Sequence, residues 1–328
     1  MASLRRIVSK RCLNAFVTIL LIMALNFALF RVMPGNPAEL MKNRNPGKSN
    51  DAAYWRNVEI MGLNDSLPKQ FVGYYYDTFT GNWGISYREE LPVLDVMGGA
   101  ILWTILLVGT GSALTFIIGV VLGKVAARKR RKWQDLSITG FGLFFYGMPV
   151  FWFAIILMVM FSNWIPLLPS GGYMDSGTAP FPLTFAKVFD ILRHMILPAT
   201  ALTVGSIAGI SLIMRNSLID VLTEDYITTA YAKGLTEKQV VKKHASPNAR
   251  LPIVTTIAMD TAFILGGVFQ IEVVFSYKGI GWYTIDAINN KDFPMLQFIF
   301  FIGGVAVVVA NLIADLILVK LDPRVKIT

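Results

Sequence analysis

Residues 99–123 read GAILWTILLVGTGSALTFIIGVVLG and hold 25 consecutive positions without a charged side chain. About 20 apolar residues are enough to cross the roughly 30 Å hydrocarbon core of a bilayer. The run is followed by KVAARKRRK, residues 124–132, which carries six Lys and Arg. An uncharged run of this length that stops at a basic cluster predicts a transmembrane helix followed by a cytoplasmic loop.

Five other stretches share this character, so the sequence predicts an all-α membrane protein with six transmembrane helices. The other five helices are expected at about residues 12–32, 136–161, 195–214, 251–275 and 296–319. Composition agrees, because 54% of the 328 residues are hydrophobic and 16% are charged, whereas soluble domains have about 25% charged residues. Met148-Pro149 predicts a kink in the third helix, because proline cannot donate a backbone hydrogen bond.

The first helix is expected to remain in the protein as a signal anchor. Four basic residues precede it, as in a signal peptide. The apolar run is longer than the roughly 7–15 residues of a signal-peptide core, and no small-residue cleavage site follows.

The basic residues predict both termini in the cytoplasm. With that orientation, 19 Lys and Arg lie inside and four lie in the short outer loops, which satisfies the positive-inside rule. The chain then divides into five parts, with residues 33–98 as an extracytoplasmic insertion. The others are a cytoplasmic N-terminus (1–11), helix one (12–32), the main transmembrane domain (99–319) and a cytoplasmic tail (320–328). The aromatic stretch 71–79 predicts a small folded element in the insertion; the alternative is an unstructured loop.

Several function classes are excluded. The net charge of +9 is spread in short clusters between apolar segments, which encodes topology and not a nucleic-acid surface. Cys12 is the single cysteine, and His194 and His244 are 50 residues apart, with no carboxylate identified at ligand spacing, so no metal site is predicted. Pro46-Gly47-Lys48-Ser49 imitates the end of a P-loop but lacks its first glycine. The sequence thus predicts neither catalysis nor a cofactor bound by this chain.

The cytoplasmic stretch 215–250 has a helical pattern where a plain connector is expected. It predicts two short helices joined at Gly234, a natural helix end. The second helix is expected at about 236–244, where Thr236 is suited to cap it and Gln239 to complete a capping box. Apolar positions outside the membrane fit either a groove on a partner protein or a segment lying on the membrane surface.

The sequence of this stretch resembles the EAA loop of ABC importer permeases, in the oligopeptide, dipeptide and nickel branch. The resemblance rests on EDYITTAYAKGL at 224–235, then His244-Ala245, Asn248-Ala249 and Leu251-Pro252. Further similarity lies in MPGNP at 33–37, GNWGIS at 81–86, EVVFS at 272–276 and LDPR at 321–324. The chain departs from the pattern at Thr228, where the family has a Glu, at Asn36, where Asp is usual, and at Ser246-Pro247.

The resemblance implies a type I importer permease fold and a place in a larger assembly. Expected partners are a second homologous permease subunit, two ATP-binding-cassette ATPase subunits that hold ATP and Mg, an extracytoplasmic substrate-binding protein and membrane lipid. The cell membrane of a bacterium or archaeon is the expected location. The residues expected to couple to the ATPase are Tyr226, Thr229, Ala230, Ala232, Lys233, Gly234, Leu235, His244, Ala245 and Asn248.

Polar residues within the predicted spans suggest further sites. Asp260 lies inside helix five, where a charge is costly and is usually functional or paired; with Gln270 and Glu272 it is a candidate for the translocation path. Asn311 and Asp315, four residues apart on helix six, are expected to hold helices together. Close helix contact is permitted by the pairs Gly119/Gly123 and Gly205/Gly209, although this spacing is common.

Alternative functions remain open at this stage. A stand-alone secondary transporter would need internal repeats, a membrane enzyme would need clustered catalytic residues, and exporters usually lack the EAA-like motif. The resemblance favours di- or oligopeptides as substrate, with oligosaccharides, nickel or glutathione as alternatives. A heterodimer and a homodimer of permeases are both compatible with the sequence.

Overall fold

The structure is a computed structural model that describes residues 2–32, 55, 58–59, 64–177, 180–250, 252–253, 256 and 268–321. Within these residues the regular elements are helices, apart from one isolated β-bridge between Ile85 and Pro92. The helices are α1 (Ala2–Val32), α2 (Leu67–Thr80), α3 (Val93–Arg128), α4 (Trp133–Tyr146), α5 (Val150–Met158), α6 (Phe185–Val221), α7 (Asp225–Ala232), α8 (Glu237–Val240), α9 (Ser246–Ala249), α10 (Phe269–Val274), α11 (Ile280–Asn290) and α12 (Phe293–Leu321). π-helical turns extend α5 to Trp164 and join α8 to α9.

Four of the described helices are long and apolar enough to cross a membrane, and a bent pair supplies a fifth candidate span. The four are Val8–Arg31 within α1, Val93–Arg128, Phe185–Val221 and Phe293–Ile313 within α12. They correspond to predicted helices one, two, four and six. Predicted helix five, 251–275, lies mostly outside the described residues and ends in α10, so the count of six stays a prediction.

Several helices are longer than the stretches predicted for them. Helix α3 begins at Val93 and not near residue 99, and α6 covers Phe185–Val221 in place of 195–214. The predicted bounds cover only the uncharged part of each helix. The helices themselves continue beyond the uncharged part, because polar residues such as Asp95 and Lys187 are compatible with a helix that extends out of the membrane.

The third predicted helix, 136–161, is interrupted. The segments Trp133–Tyr146 and Val150–Trp164 meet at an angle of 96°, so the predicted kink is confirmed and is sharper than a bend within one helix. Pro149 precedes the second segment, and its ring and missing N–H prevent the two segments from sharing one hydrogen-bond ladder.

Helices α3 and α6 pack with their backbones close together. A Cβ atom added to Gly119 would lie 2.9 Å from Ile210, and one added to Gly123 would fall within 3.0 Å of the carbonyl oxygen of Ser211. The Gly119/Gly123 pair thus makes the close contact that the sequence permitted. In the second pair, Gly205 of α6 faces Val150 of α5, and a Cβ added to Gly205 would lie 3.0 Å from it. A Cβ added to Gly209 would have no atom within 4 Å.

Two apolar cores of the described chain lie at the two ends of this helix pair, and a third joins α1, the start of α3, α11 and α12. One apolar cluster lies at the end where α3 and α6 begin, and α10 packs into it. Its members include Trp103, Met195 and Phe275. Its edge carries Tyr173, whose ring stacks on Trp103 at 4.2 Å. A second cluster joins the opposite ends of α3 and α6 to α7, α8 and α9. Helix α12 packs beside α1, and Asn26 donates a hydrogen bond of 2.9 Å to the backbone oxygen of Gln297.

Replacing Gly123 by alanine should destabilise the protein, because the new methyl group would collide with the backbone oxygen of Ser211, which cannot move aside as the end of a side chain can, and with the Cβ atom of Met214. We expect a loss of about 1–3 kcal/mol, as for other overpacked sites. Gly109 is the matched control, since it lies on the same helix with no atom within 4 Å of an added Cβ. Unfolding midpoints of the purified variants in detergent check this; equal midpoints for Gly123→Ala and Gly109→Ala would contradict the packing.

Candidate functional site

Residues 222–250 form an elbow that continues from α6. Helix α6 ends at Val221, a short turn leads into α7, and Gly234 separates α7 from α8. The predicted pair of short helices joined at Gly234 is confirmed. The capping box is confirmed as well, because the Gln239 Oε1 atom accepts a hydrogen bond of 2.9 Å from the backbone N–H of Thr236.

The turn at Gly234 has the backbone geometry of a Schellman motif. Gly234 has φ +79°, a left-handed conformation that glycine adopts without steric cost. Its N–H donates to the carbonyl of Tyr231 at 2.9 Å, and the N–H of Leu235 donates to that of Ala230 at 3.4 Å. These bonds satisfy two carbonyls at the end of α7 and fix the angle between α7 and α8.

The second helix of the elbow is longer than predicted. It was expected to end near His244 and instead continues through a π-helical turn, Val241–Ala245, into Ser246–Ala249. Pro247 lies in the first turn after this π segment. The wider turn accommodates a proline that has no N–H to donate.

The elbow has its own buried side, which packs on α3 and α6. Ile227 and Ala230 from α7 are buried with Met214 and Leu218 of α6. Ala245 is fully buried in the same cluster and Leu235 packs against its edge. Two of the predicted coupling residues, Ala230 and Ala245, therefore hold the elbow in place.

The other side of the elbow is exposed. The exposed members of the predicted set are Tyr226, Thr229, Ala232, Lys233, Gly234 and Asn248. The Asn248 side-chain amide donates to the Tyr226 hydroxyl at 2.8 Å and to the carbonyl of His244 at 3.1 Å. This bond ties the start of α7 to the end of the second helix, so the exposed face is a fixed surface. His244 itself is half-buried.

A buried ion pair at the base of the elbow was not predicted from the sequence. Arg215 donates to both carboxylate oxygens of Asp135, at 2.6 and 2.7 Å. The Asp135 side chain is 4% exposed and also accepts the backbone N–H of Arg131 at 2.9 Å. This bidentate ion pair joins the first turn of α4 to the part of α6 that leads into the elbow.

Two more contacts stabilise the two ends of α3, one at the elbow and one at the opposite end. Arg128, at the end of α3, lies 3.2 Å from Glu237 of α8, and both side chains are largely exposed. At the far end of α3, Thr104 donates to Glu272 at 2.6 Å and accepts the N–H of Ile280 at 2.8 Å. Glu272 also accepts the N–H of Trp282 at 3.1 Å, so it caps the start of α11.

The candidate translocation residues have different outcomes. Glu272 is fully buried in these contacts and borders a cavity of about 270 Å³ between α10, α11 and α12. Gln270 is half-buried in α10. Asp260 lies outside the described residues. Asn311 is exposed on α12, and the side chain of Asp315 is outside the described part, so their interhelical role stays a prediction.

The prediction that His194 has no carboxylate at ligand spacing is wrong. His194 does have a carboxylate at helical spacing, because Asp190 lies four residues earlier and its Oδ1 atom is 3.1 Å from Nδ1. Asp175 approaches Nε2 to 3.7 Å from the preceding loop. Potential ligand atoms of these three residues lie within 4.8 Å of one another. The expectation that the chain binds no metal remains a prediction.

Comparison with known proteins decides the family. The model for binding-protein-dependent transport system inner membrane components matches residues 119–327, and the model for the N-terminal part of such components matches residues 4–97. The chain belongs to this family.

Relatives match over nearly the whole chain. A probable peptide ABC transporter permease of Sinorhizobium fredii is 35% identical over 326 residues, which cover 98% of each chain. An oligopeptide transport system permease of Bacillus subtilis is 31% identical and covers 97% of this chain and 98% of its own. A dipeptide transport system permease of Escherichia coli is 31% identical, with 92% and 93% covered.

A solved structure supports the fold. The inward-facing MetNI methionine ABC transporter matches with a TM-score of 0.54 at 14% identity, covering 70% of this chain and 97% of that chain. The type I importer permease fold expected from the sequence is therefore confirmed. Family membership makes this chain a multi-pass inner-membrane component of a transport complex that includes ATPase and substrate-binding partners. It is a transport subunit and not an enzyme.

Removing one partner of the Asp135–Arg215 pair should be more harmful than removing both. Asp135→Ala leaves a partly buried guanidinium without its carboxylate, which costs about 3–5 kcal/mol for a fully buried pair and less here because Arg215 is 22% exposed. The double variant Asp135→Ala/Arg215→Met should recover part of that loss. Unfolding of the purified variants checks this, with the exposed Glu237→Gln as a control expected to cost about 0–1 kcal/mol. Additive losses would argue against the pair.

Proposed function

We propose that this chain is one of two permease subunits in an ATP-driven importer of di- or oligopeptides. The elbow carries this proposal, because its exposed face is held by the bond between Asn248 and Tyr226 and its buried face packs on α3 and α6. The Asp135–Arg215 pair joins α4 to α6. A movement imposed on the elbow from outside would therefore displace these helices. The substrate class is supported by three relatives named as peptide, oligopeptide and dipeptide permeases.

In this proposal two ATPase subunits bind ATP and Mg, and one of them docks on the elbow of this chain. A second, similar permease completes the pathway, and a binding protein delivers substrate outside. Closure of the ATPases favours one of two arrangements of the permeases through differential binding. Among the exposed elbow residues, Tyr226 and Tyr231 offer aromatic surface of the kind that is enriched at protein interfaces.

The proposed orientation places both termini and the elbow in the cytoplasm of a bacterium or archaeon. The basic cluster 124–132 and the elbow lie at the same end of the helix pair α3–α6, as the contact between Arg128 and Glu237 requires. This is the end at which the positive-inside rule expects Lys and Arg. Residues 64–92, between α1 and α3, then lie outside.

The first experiment is co-purification of the ATPase subunits with the wild-type chain and with Gly234→Pro, both coexpressed with the neighbouring transport genes. Proline cannot adopt φ +79°, so the variant should lose the angle between α7 and α8 and release the ATPase. Gly234→Ala should retain a weakened complex, since a left-handed alanine costs about 1–2 kcal/mol.

Gly177 is the matched control, because it has φ +84° and open space like Gly234 but lies in a loop far from the elbow. Gly177→Pro should keep the ATPase. Retention of the ATPase by Gly234→Pro, or its loss from both proline variants, would argue against the elbow as the docking surface. If the wild type itself brings down no ATPase, a stand-alone transporter becomes the better interpretation.

Replacing Asp260 by leucine should impair peptide uptake while the assembled complex is still recovered. A charge inside a span costs about 2.5–3.5 kcal/mol on insertion scales, so its presence there suggests a role in the pathway or a bond to another helix. Uptake of a labelled dipeptide and a labelled tripeptide by cells, with ATPase co-purification as the assembly control, distinguishes these. Wild-type uptake in Asp260→Leu would exclude Asp260 from the path.

A further inference from the structure

Helix α2, in the segment between α1 and α3, lies alongside the span formed by α1. The Tyr75 hydroxyl donates to the backbone carbonyl of Leu20 at 2.7 Å. Asn26 donates to the Tyr74 hydroxyl at 3.0 Å, and Phe71 meets Phe27 edge to face at 5.2 Å. Helix α2 is therefore attached to the side of a candidate membrane span and does not stand above it.

Two of these three contacts lie near a membrane boundary. Phe27 and Asn26 are four and five residues before Arg31, the last residue of the span, which is about 6 and 8 Å along a helix. The third contact is deeper, because the Tyr75 hydroxyl reaches Leu20, 11 residues or about 16 Å from Arg31. Tyr75 satisfies its hydroxyl with a helix carbonyl, as a side chain must where water is scarce. Trp83, just after α2, packs against Phe298 and Phe301 of α12, at a similar level.

The surface of α2 is divided into three sectors. The first faces α1 and holds Phe71, Tyr74 and Tyr75. The second is polar and holds Lys69, Asp77 and Thr80. The third holds Val72, Tyr76 and Phe79, which share one helix face and are 68%, 69% and 66% exposed. A helix that touches protein on one side, with apolar and polar sectors on its other sides, has the pattern of an interfacial helix.

The exposed apolar sector adjoins a face of α1 that is also exposed and apolar. On α1, the face that carries Leu20 and Phe27 continues toward the N-terminus with Phe16 and Leu13, four and seven residues before Leu20. Both side chains are exposed. In a span that crosses a bilayer, lipid covers such a face. The same lipid would reach the apolar sector of α2, which lies next to it.

We propose that α2 is an interfacial helix that rests on the outer leaflet of the bilayer and binds phospholipid through Val72, Tyr76 and Phe79. Lys69 and Thr80 face the water, and the neighbouring tyrosines and Trp83 lie in the belt where aromatic residues are enriched. The contact with lipid is inferred from the attachment of α2 to α1 and from the exposure of its apolar sector, and it does not depend on which leaflet is involved. Its assignment to the outer leaflet rests on the orientation proposed above.

Site-directed spin labelling of the assembled transporter tests this inference. Cys12 is the single cysteine, so a Cys12→Ser background allows one label at a time, at Val72→Cys, Phe79→Cys, Lys69→Cys or Phe16→Cys. The complex is reconstituted in vesicles of phosphatidylethanolamine and phosphatidylglycerol. Accessibility to oxygen, which concentrates in lipid, is compared with accessibility to a water-soluble nickel chelate.

Labels at Val72 and Phe79 should resemble the lipid reference at Phe16, with oxygen access exceeding nickel access, and the Lys69 label should show the reverse. Nickel access at Val72 and Phe79 equal to that at Lys69 would overturn the proposal, because the sector would then face water. Low access to both reagents would also overturn it, since protein would cover the sector: either residues 33–63 or the binding protein.

Labelling of Lys69→Cys in intact cells by a membrane-impermeant maleimide reports the side of the membrane separately. Lipid contact at Val72 without labelling from outside would refute the proposed orientation and leave the interfacial helix intact. Peptide uptake by each variant confirms that the labelled complexes are folded.

Discussion

The close contact between the backbones of α3 and α6 is the constraint on which the rest of the structure depends. Within a bilayer, neighbouring helices gain little from hydrophobic burial, because lipid is as apolar as the side chains. Association then relies on short-range packing, which requires small residues where two backbones meet. Gly119 and Gly123 supply that closeness, and Thr203 adds a hydrogen bond of 3.3 Å to the carbonyl of Gly111. The two longest helices of the described chain thus behave as one body.

That body connects the elbow to the opposite end of the protein. At one end, α7 buries Ile227 and Ala230 against α6, and Arg215 holds α4 through Asp135. At the other end, Thr104 of α3 holds Glu272 and the start of α11. Thr104 is 20 residues from Lys124, about 30 Å along the helix, which equals the thickness of the hydrocarbon core.

Features set by local sequence could be predicted, and those set by distant partners could not. The apolar runs gave the spans, Gly234 gave the elbow turn, and Thr236 with Gln239 gave the cap, because each depends on residues a few positions apart. The Asp135–Arg215 pair joins residues 80 positions apart, and the Thr104–Glu272 bond joins residues 168 apart. Nothing near Glu272 in the sequence distinguishes a helix-capping carboxylate from one that faces a pathway. For α2, aromatic residues predicted a folded element, but its attachment to the side of α1 depends on contacts about 50 residues away.

The placement of the buried polar groups suggests why such a body can move. The Asp135–Arg215 pair and the Thr104–Glu272 bond lie toward opposite ends of the spans, where their desolvation is offset by several hydrogen bonds each. Between these ends, α3 and α6 meet through glycine, aliphatic side chains and the bond from Thr203 to Gly111. Polar bonds at both ends keep each helix matched to its neighbour, so we expect the pair to shift as a unit against the surrounding helices. An elbow displaced by a partner would then carry α4 and α6 together, because the bidentate pair at its base resists their separation.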